Sequence, residues 1–197
     1  MRFVVFDLET DDKFPATAQI IQIAAVAVDG EFNELDQFSR LVQFDVSKAS
    51  KEALSINLYD EATWKAHAKP VGQVLAEFCA WSRPFHDQAR ISKAGNGYKV
   101  GTLCGYNAAT FDGPIIKREC ERLKLFLPFD LRVRDAMQVA MSVCDFMGEA
   151  PKDFKLQTLA AHFGIEVENA HDALSDVRTT IGLMRRFREF FVVGKAA

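Results

Sequence analysis

Apolar positions along this chain change period in a way that separates strands from helices. Residues 3–6 (FVVF) are a continuous run rich in β-branched side chains, the pattern of a strand buried on both faces. Residues 20–30 (IIQIAAVAVDG) predict a second strand that ends in the turn pair Asp29-Gly30. Residues 38–44 (FSRLVQF) alternate and close an antiparallel hairpin or meander. Short helical pieces and loops follow over 47–69, and Pro70 opens an amphipathic helix over 71–81. Residues 86–100 (HDQARISKAGNGYKV) are polar and contain glycine, and are read as an exposed loop. A short strand over 101–107 leads into a helix that runs to about Lys124. Another strand runs into a helix over 132–143, and a further helix over 156–165 stops at Gly164. Leu174, Val177, Ile181, Met184, Phe187 and Phe191 recur at steps of three and four, the core stripe of a last helix over 172–191. Strands first, then strands alternating with helices, predict one α/β domain with a mixed sheet over 1–193, followed by a short tail, 194–197.

Composition narrows this little. With 197 residues, 49% hydrophobic and 26% charged, the chain is long enough for one full core and ordinary for a globular protein. The net charge of −3 means that any nucleic-acid partner must be met by a local basic surface or by metal ions. Cys79, Cys104, Cys120 and Cys144 are far apart and form no CxxC pair, so buried thiols in a reducing cytoplasm are expected rather than disulfides or zinc. The apolar stretch 20–28 is broken by Gln22 and falls short of the ~20 residues of a membrane span. Asp7 and Glu9 interrupt the early apolar run, which excludes a secretory signal at this position.

The candidate chemistry lies in three short segments. In FDLET (6–10), Asp7 and Glu9 stand two apart on a strand and therefore share a face. Two close carboxylates near a core repel and lose hydration, and are stabilised by a proton or by a cation between them; hard oxygen ligands suit Mg²⁺ or Mn²⁺. Taken alone, the pair equally describes a solvated strand end. In YNAATFDGPIIKREC (106–120), Asp112 heads a helical face continued by Ile116, Cys120 and Leu123, which aims an acid toward the sheet. Alone, it is better described as an acid that complements a helix dipole. In HDALSDV (171–177), Asp176 lies inside the last helix with His171 five residues before it. Were both helical they would diverge by roughly 140°, so for both to serve one site His171 must sit on the turn before the helix. The alternative is capping by Asp172 with Asp176 facing solvent.

The three segments occur in the order and contexts of the DEDDh exonucleases, the DnaQ-like family of 3′→5′ exonucleases within the ribonuclease H-like fold, and the chain resembles that family from Phe3 to about Phe190. FDLET resembles the first motif. NAATFD resembles the second, with Asn107, Phe111 and Asp112 in place. HDALSD resembles the third, His-x-Ala-x-x-Asp. The resemblance implies a mixed sheet of about five strands flanked by helices. It implies two divalent ions, Mg²⁺ or Mn²⁺, held by Asp7, Glu9, Asp112 and Asp176, with Asp7 bridging both and His171 as general base. It implies release of nucleoside 5′-monophosphates from a DNA or RNA 3′ end, with Leu8, Thr10, Asn107 and Phe111 holding the terminal nucleotide. DNA is modestly favoured, in the manner of polymerase-associated proofreading or repair enzymes. An RNA-trimming exoribonuclease and a non-catalytic, polymerase-associated binding subunit are the rivals, and association with a DNA polymerase is the protein partner raised.

The chain departs from the family pattern in two places. Thr10-Asp11-Asp12 stands where many members have Thr-Thr-Gly, and Tyr106 stands where many have His. The two extra acids bear on the approach of phosphate, with Lys13 offsetting them. Outside the motifs, Arg178, Arg185, Arg186 and Arg188 are expected on a solvated helix face, Lys93 and Lys99 on a solvated loop, His67 and His86 at the surface, and Trp64 and Trp81 in the core.

Overall fold

The structure is a computed structural model and describes residues 1–167 and 172–193. Among these, six strands form one sheet: β1 (Phe3–Thr10), β2 (Ile20–Val28), β3 (Glu34–Leu41), β4 (Gln88–Ile91), β5 (Gly97–Gly105) and β6 (Phe129–Asp135). The helices are α1 (Lys51–Ile56), α2 (Glu61–His67), α3 (Val71–Ser82), α4 (Asp112–Arg122), α5 (Ala136–Met147), α6 (Leu156–His162) and α7 (Ala173–Val193). The strand order is β3-β2-β1-β5-β4, with β6 also on β5. β1 is antiparallel to β2 and parallel to β5, and β5 is parallel to β6. The mixed sheet is as expected, with one strand more than the five anticipated.

Alternation along β1 divides the core in two. Val4, Phe6 and Leu8 pack on one face against Val74, Leu75 and Phe78 of α3 and Ile115, Ile116 and Cys120 of α4. Val5 packs on the other face with Ala24, Val26 and Cys104 against Ala173, Val177 and Ile181 of α7. The odd positions of β1 thus face α7. Asp7 and Glu9 continue that row, so the last helix is set against them by the same periodicity that builds the core. A second cluster beside α7, with Ala140, Val143, Leu159, Leu183 and Phe187, docks α5 and α6.

Several expectations need correction. Residues 86–100 are not a loop. β4 and β5 form a hairpin there, with Gln88 opposite Val100 and Ile91 opposite Gly97, closed by backbone bonds from Ser92 to Asn96 and from Gly95 to Ser92. Most of it is solvated, so polar side chains fill both faces and no apolar alternation marks it. β3 starts four residues earlier than the apolar pattern at 38, because its first half is an exposed strand with polar residues on both faces. Phe191 is 55% exposed, and Phe190 takes the next place in the stripe after Phe187. His86 is buried: its Nε2 lies 3.0 Å from Ser82 Oγ and its ring meets Phe129 edge-on.

Other expectations hold. All four cysteines are free, Trp64 is buried and Trp81 packs on the core. Three arginines of α7 reach the β2–β3 side of the molecule, where Arg178 pairs with Glu34, Arg188 with Glu31, and Arg185 donates to the Phe32 carbonyl, while Arg186 pairs with Glu189 on the helix itself. Among the described residues no helix is long and apolar enough to cross a membrane.

Candidate active site

Parallel pairing of β1 with β5 brings the C-terminal ends of both strands to one edge of the sheet, where the chain leaves β5 for the 106–111 loop and α4. A cleft of about 410 Å³ opens there. Asp7 and Glu9 enter it from β1, Asp112 from the start of α4 and Asp176 from the first turn of α7. Four acids from three distant segments therefore meet at one place. Asp112 is almost wholly buried, and its Oδ1 accepts the backbone N–H of Leu8 at 2.9 Å, which ties α4 to the strand between the two strand carboxylates. Asp172, just ahead of α7, accepts the N–H of Ser175 and caps that helix. The sequence alternatives for this segment thus divide: Asp172 caps, yet Asp176 lines the cleft.

The electrostatics follow from this crowding. Burial raises Asp7 well above the usual carboxylate range, and the charges of Asp112, Glu9 and Asp176 raise it further. Glu9 is pushed up to about 7 by burial, then by Asp176, Asp112 and Asp172. Asp112 also rises to about 7, because burial outweighs the lowering by the N–H of Leu8. Neighbouring acids thus oppose the ionisation of Asp7 and Glu9.

These shifts give a stability prediction. Acids whose pKa is higher in the folded than in the unfolded chain make the folded state bind more protons between about 4.5 and about 7. Stability in metal-free buffer is therefore expected to fall as pH rises from about 5 to about 8, and saturating Mg²⁺ should flatten the trend. Thermal melts with EDTA and with Mg²⁺ across that range measure it, and a melting temperature that rises with pH in EDTA would contradict it.

Among the described residues no three His, Cys, Asp or Glu side chains already stand as a finished metal cage. The fit to a cation rests on the donor set: four carboxylates facing one cleft are hard oxygen ligands, suited to Mg²⁺, Mn²⁺ or Ca²⁺. His171 lies outside the described residues.

Of the residues expected to hold a nucleotide, Leu8, Asn107 and Phe111 line the cleft and Thr10 does not. The Leu8 side chain is in the core and its N–H is used by Asp112. Thr10 Oγ1 donates to the Asp12 carbonyl, and its own carbonyl accepts Asn57 Nδ2 at 2.8 Å. The extra acid Asp11 does not face the cleft entrance as a free charge. It is 2% exposed and its two oxygens accept the backbone and side-chain N–H groups of Gln19. Asp11 therefore shapes the turn after β1 and adds less repulsion to an incoming phosphate than the sequence implied. Tyr106, the second departure, donates its hydroxyl to the Phe154 carbonyl and links the end of β5 to the start of α6. That link brings Phe154, Lys155 and Gln157 to the cleft wall. Sequence reasoning missed these residues and also Asp135, which is buried behind the 106–111 loop. Asp135 was legible only as an acid at a strand-to-helix junction.

No family model and no curated protein sequence matches the chain. Solved structures do. Exonuclease I of E. coli in complex with a dT13 oligonucleotide is similar over 96% of this chain, with a TM-score of 0.75 and 23% identity. A zinc ion bound form of the E. coli exonuclease I–single-stranded DNA complex gives 0.76 and 22% over 96% of the chain. A moderately thermophilic exonuclease I from Methylocaldum szegediense gives 0.74 and 21% over 95%. At this identity the likeness establishes the fold alone, a ribonuclease H-like α/β fold with a mixed sheet flanked by helices. The chain spans 42%, 40% and 40% of the length of these three structures, respectively.

Proposed function

We propose that this protein is a metal-dependent 3′→5′ exonuclease that removes nucleoside 5′-monophosphates from the 3′ end of single-stranded DNA. The observation that carries this reading is the meeting of Asp7, Glu9, Asp112 and Asp176 in one cleft, where burial and mutual repulsion leave them in need of positive charge. The likeness to exonuclease I bound to dT13 and dA16 oligonucleotides supports single-stranded DNA over RNA.

A phosphodiester resists hydrolysis because its own charge repels a nucleophile. Two divalent cations in the cleft, Mg²⁺ or Mn²⁺, would supply an activated water and neutralise charge on the leaving oxygen. In this reading the residues of the chain do the rest. Asp7, whose ionisation Glu9, Asp112 and Asp176 oppose, would serve both cations. Glu9 and Asp176 would help to hold one cation, and Asp112, fixed by Leu8, would help to hold the other. His171 takes the proton of the attacking water. Phe111, partly buried at the cleft wall, offers a face to the terminal base, and a stacked aromatic accepts any base. Four free thiols agree with a reducing cytoplasmic setting.

The test is a gel assay with 3′- and 5′-labelled single- and double-stranded DNA and RNA, with Mg²⁺, Mn²⁺ or EDTA. Mononucleotides released from the 3′ end of single-stranded DNA, in either metal and not in EDTA, are expected. Equal digestion in EDTA or release from the 5′ end would overturn the reading. Preference for RNA would keep the chemistry and replace the substrate.

A further inference from the structure

Asp135 ends β6, opens α5 and is buried. Its Oδ1 accepts the N–H of Met137 at 3.0 Å, the ordinary bond of a helix cap. The same oxygen also accepts the N–H of Asn107 at 3.1 Å, and its Oδ2 accepts that of Ala109 at 2.9 Å. A cap needs only the first of these. The other two reach across 28 and 26 residues of sequence to the loop that delivers Asn107, Phe111 and Asp112 to the cleft.

That loop needs holding. Asn107 has φ of +55°, a left-handed conformation uncommon outside glycine. The Ala108 carbonyl accepts the N–H of Gly113 at 2.8 Å, and a Cβ on Gly113 would sit 2.8 Å from that oxygen, so the turn closes only around glycine. At the far end Asp112 is anchored by Leu8. At the near end the two long-range bonds of the Asp135 carboxylate are the anchor.

We infer that Asp135 is a positioning residue of the active site: its carboxylate fastens the 107–112 loop to the end of β6 and so sets where Asn107 and Asp112 stand in the cleft. This rests on the proposed function for the role of Asp112, and the contact geometry is independent of it. Supporting groups one step behind a metal ligand are worth about 10–100-fold in affinity or rate.

Asp135→Ser separates the two duties. A serine hydroxyl caps a helix well but is too short and has too few acceptors to reach two loop amides as well. D135S is expected to melt close to the wild type, with the Met137 amide still protected. Hydrogen exchange at the Asn107 and Ala109 amides should rise about tenfold or more. Mn²⁺ should bind about 10-fold more weakly by titration calorimetry, and kcat should fall about 10–100-fold with a smaller change in KM. D135N, of the same size and with one oxygen kept, should fall between. Wild-type exchange at Asn107 and Ala109 in D135S, or increased exchange there with unchanged Mn²⁺ affinity and kcat, would reduce Asp135 to a helix cap and overturn the inference. A wild-type enzyme inactive on every oligonucleotide would instead remove the exonuclease reading, while amide exchange and Mn²⁺ affinity would still decide the role of Asp135.

Discussion

Asp7→Asn is expected to abolish metal-dependent digestion while making the metal-free protein more stable. Asp7 stands among Glu9, Asp112 and Asp176, and both its burial and their charges oppose its ionisation. An amide of the same size cannot ionise and leaves no cavity, so the cost of keeping a carboxyl buried among other acids, whether protonated or charged, is removed. In the proposed function the same change removes the ligand that would serve both cations. Cation-assisted stabilisation of the transition state is worth several kcal/mol, so a loss of about 10³-fold or more is expected. Opposite signs in stability and activity are what distinguish a functional site from a structural one. The pair of measurements is a thermal melt in EDTA and a nuclease assay in Mg²⁺. A variant that melts lower and digests normally would mean that Asp7 is a structural acid.

The second large effect concerns His171. Replacing it with Ala should slow digestion about 10²–10⁴-fold, the usual worth of a general base, with Mn²⁺ affinity largely kept. An imidazole that accepts a proton does so with a pKa near ~6.5, so the rise in rate through that pH should vanish in the variant. Full activity in His171→Ala, or loss of metal binding with no defect in rate, would contradict a role as base.

The elements that carry the site were readable because periodicity and chemistry agree in them. FVVF fixes a buried strand, and the same alternation that sends Val4, Phe6 and Leu8 to α3 and α4 sends Asp7 and Glu9 toward α7. The three-and-four spacing of Val177 and Ile181 sets the rotation of α7, and Asp176 follows from it. What stayed hidden lacks an apolar signal. The β4–β5 hairpin is solvated through most of its length, so Arg90, Tyr98 and Lys99 read as loop although the backbone pairs. His86 looked exposed because its neighbours in sequence are polar, yet it is buried against Phe129 and Ser82, which periodicity cannot show. Asp11 and Asp135 act through hydrogen bonds to residues 8 to 28 positions away. Such bonds depend on how the chain closes on itself, and the residue types alone leave them open.

If four carboxylates from β1, α4 and α7 form a seat for divalent cations, the cations should be visible there. Anomalous scattering from a crystal soaked in Mn²⁺ tests for that seat directly. Strong peaks are expected within coordination distance, about 2.0–2.3 Å, of oxygens from Asp7, Glu9, Asp112 and Asp176. A fully soaked crystal with no peak among those oxygens, or with manganese bound only elsewhere on the surface, would contradict it.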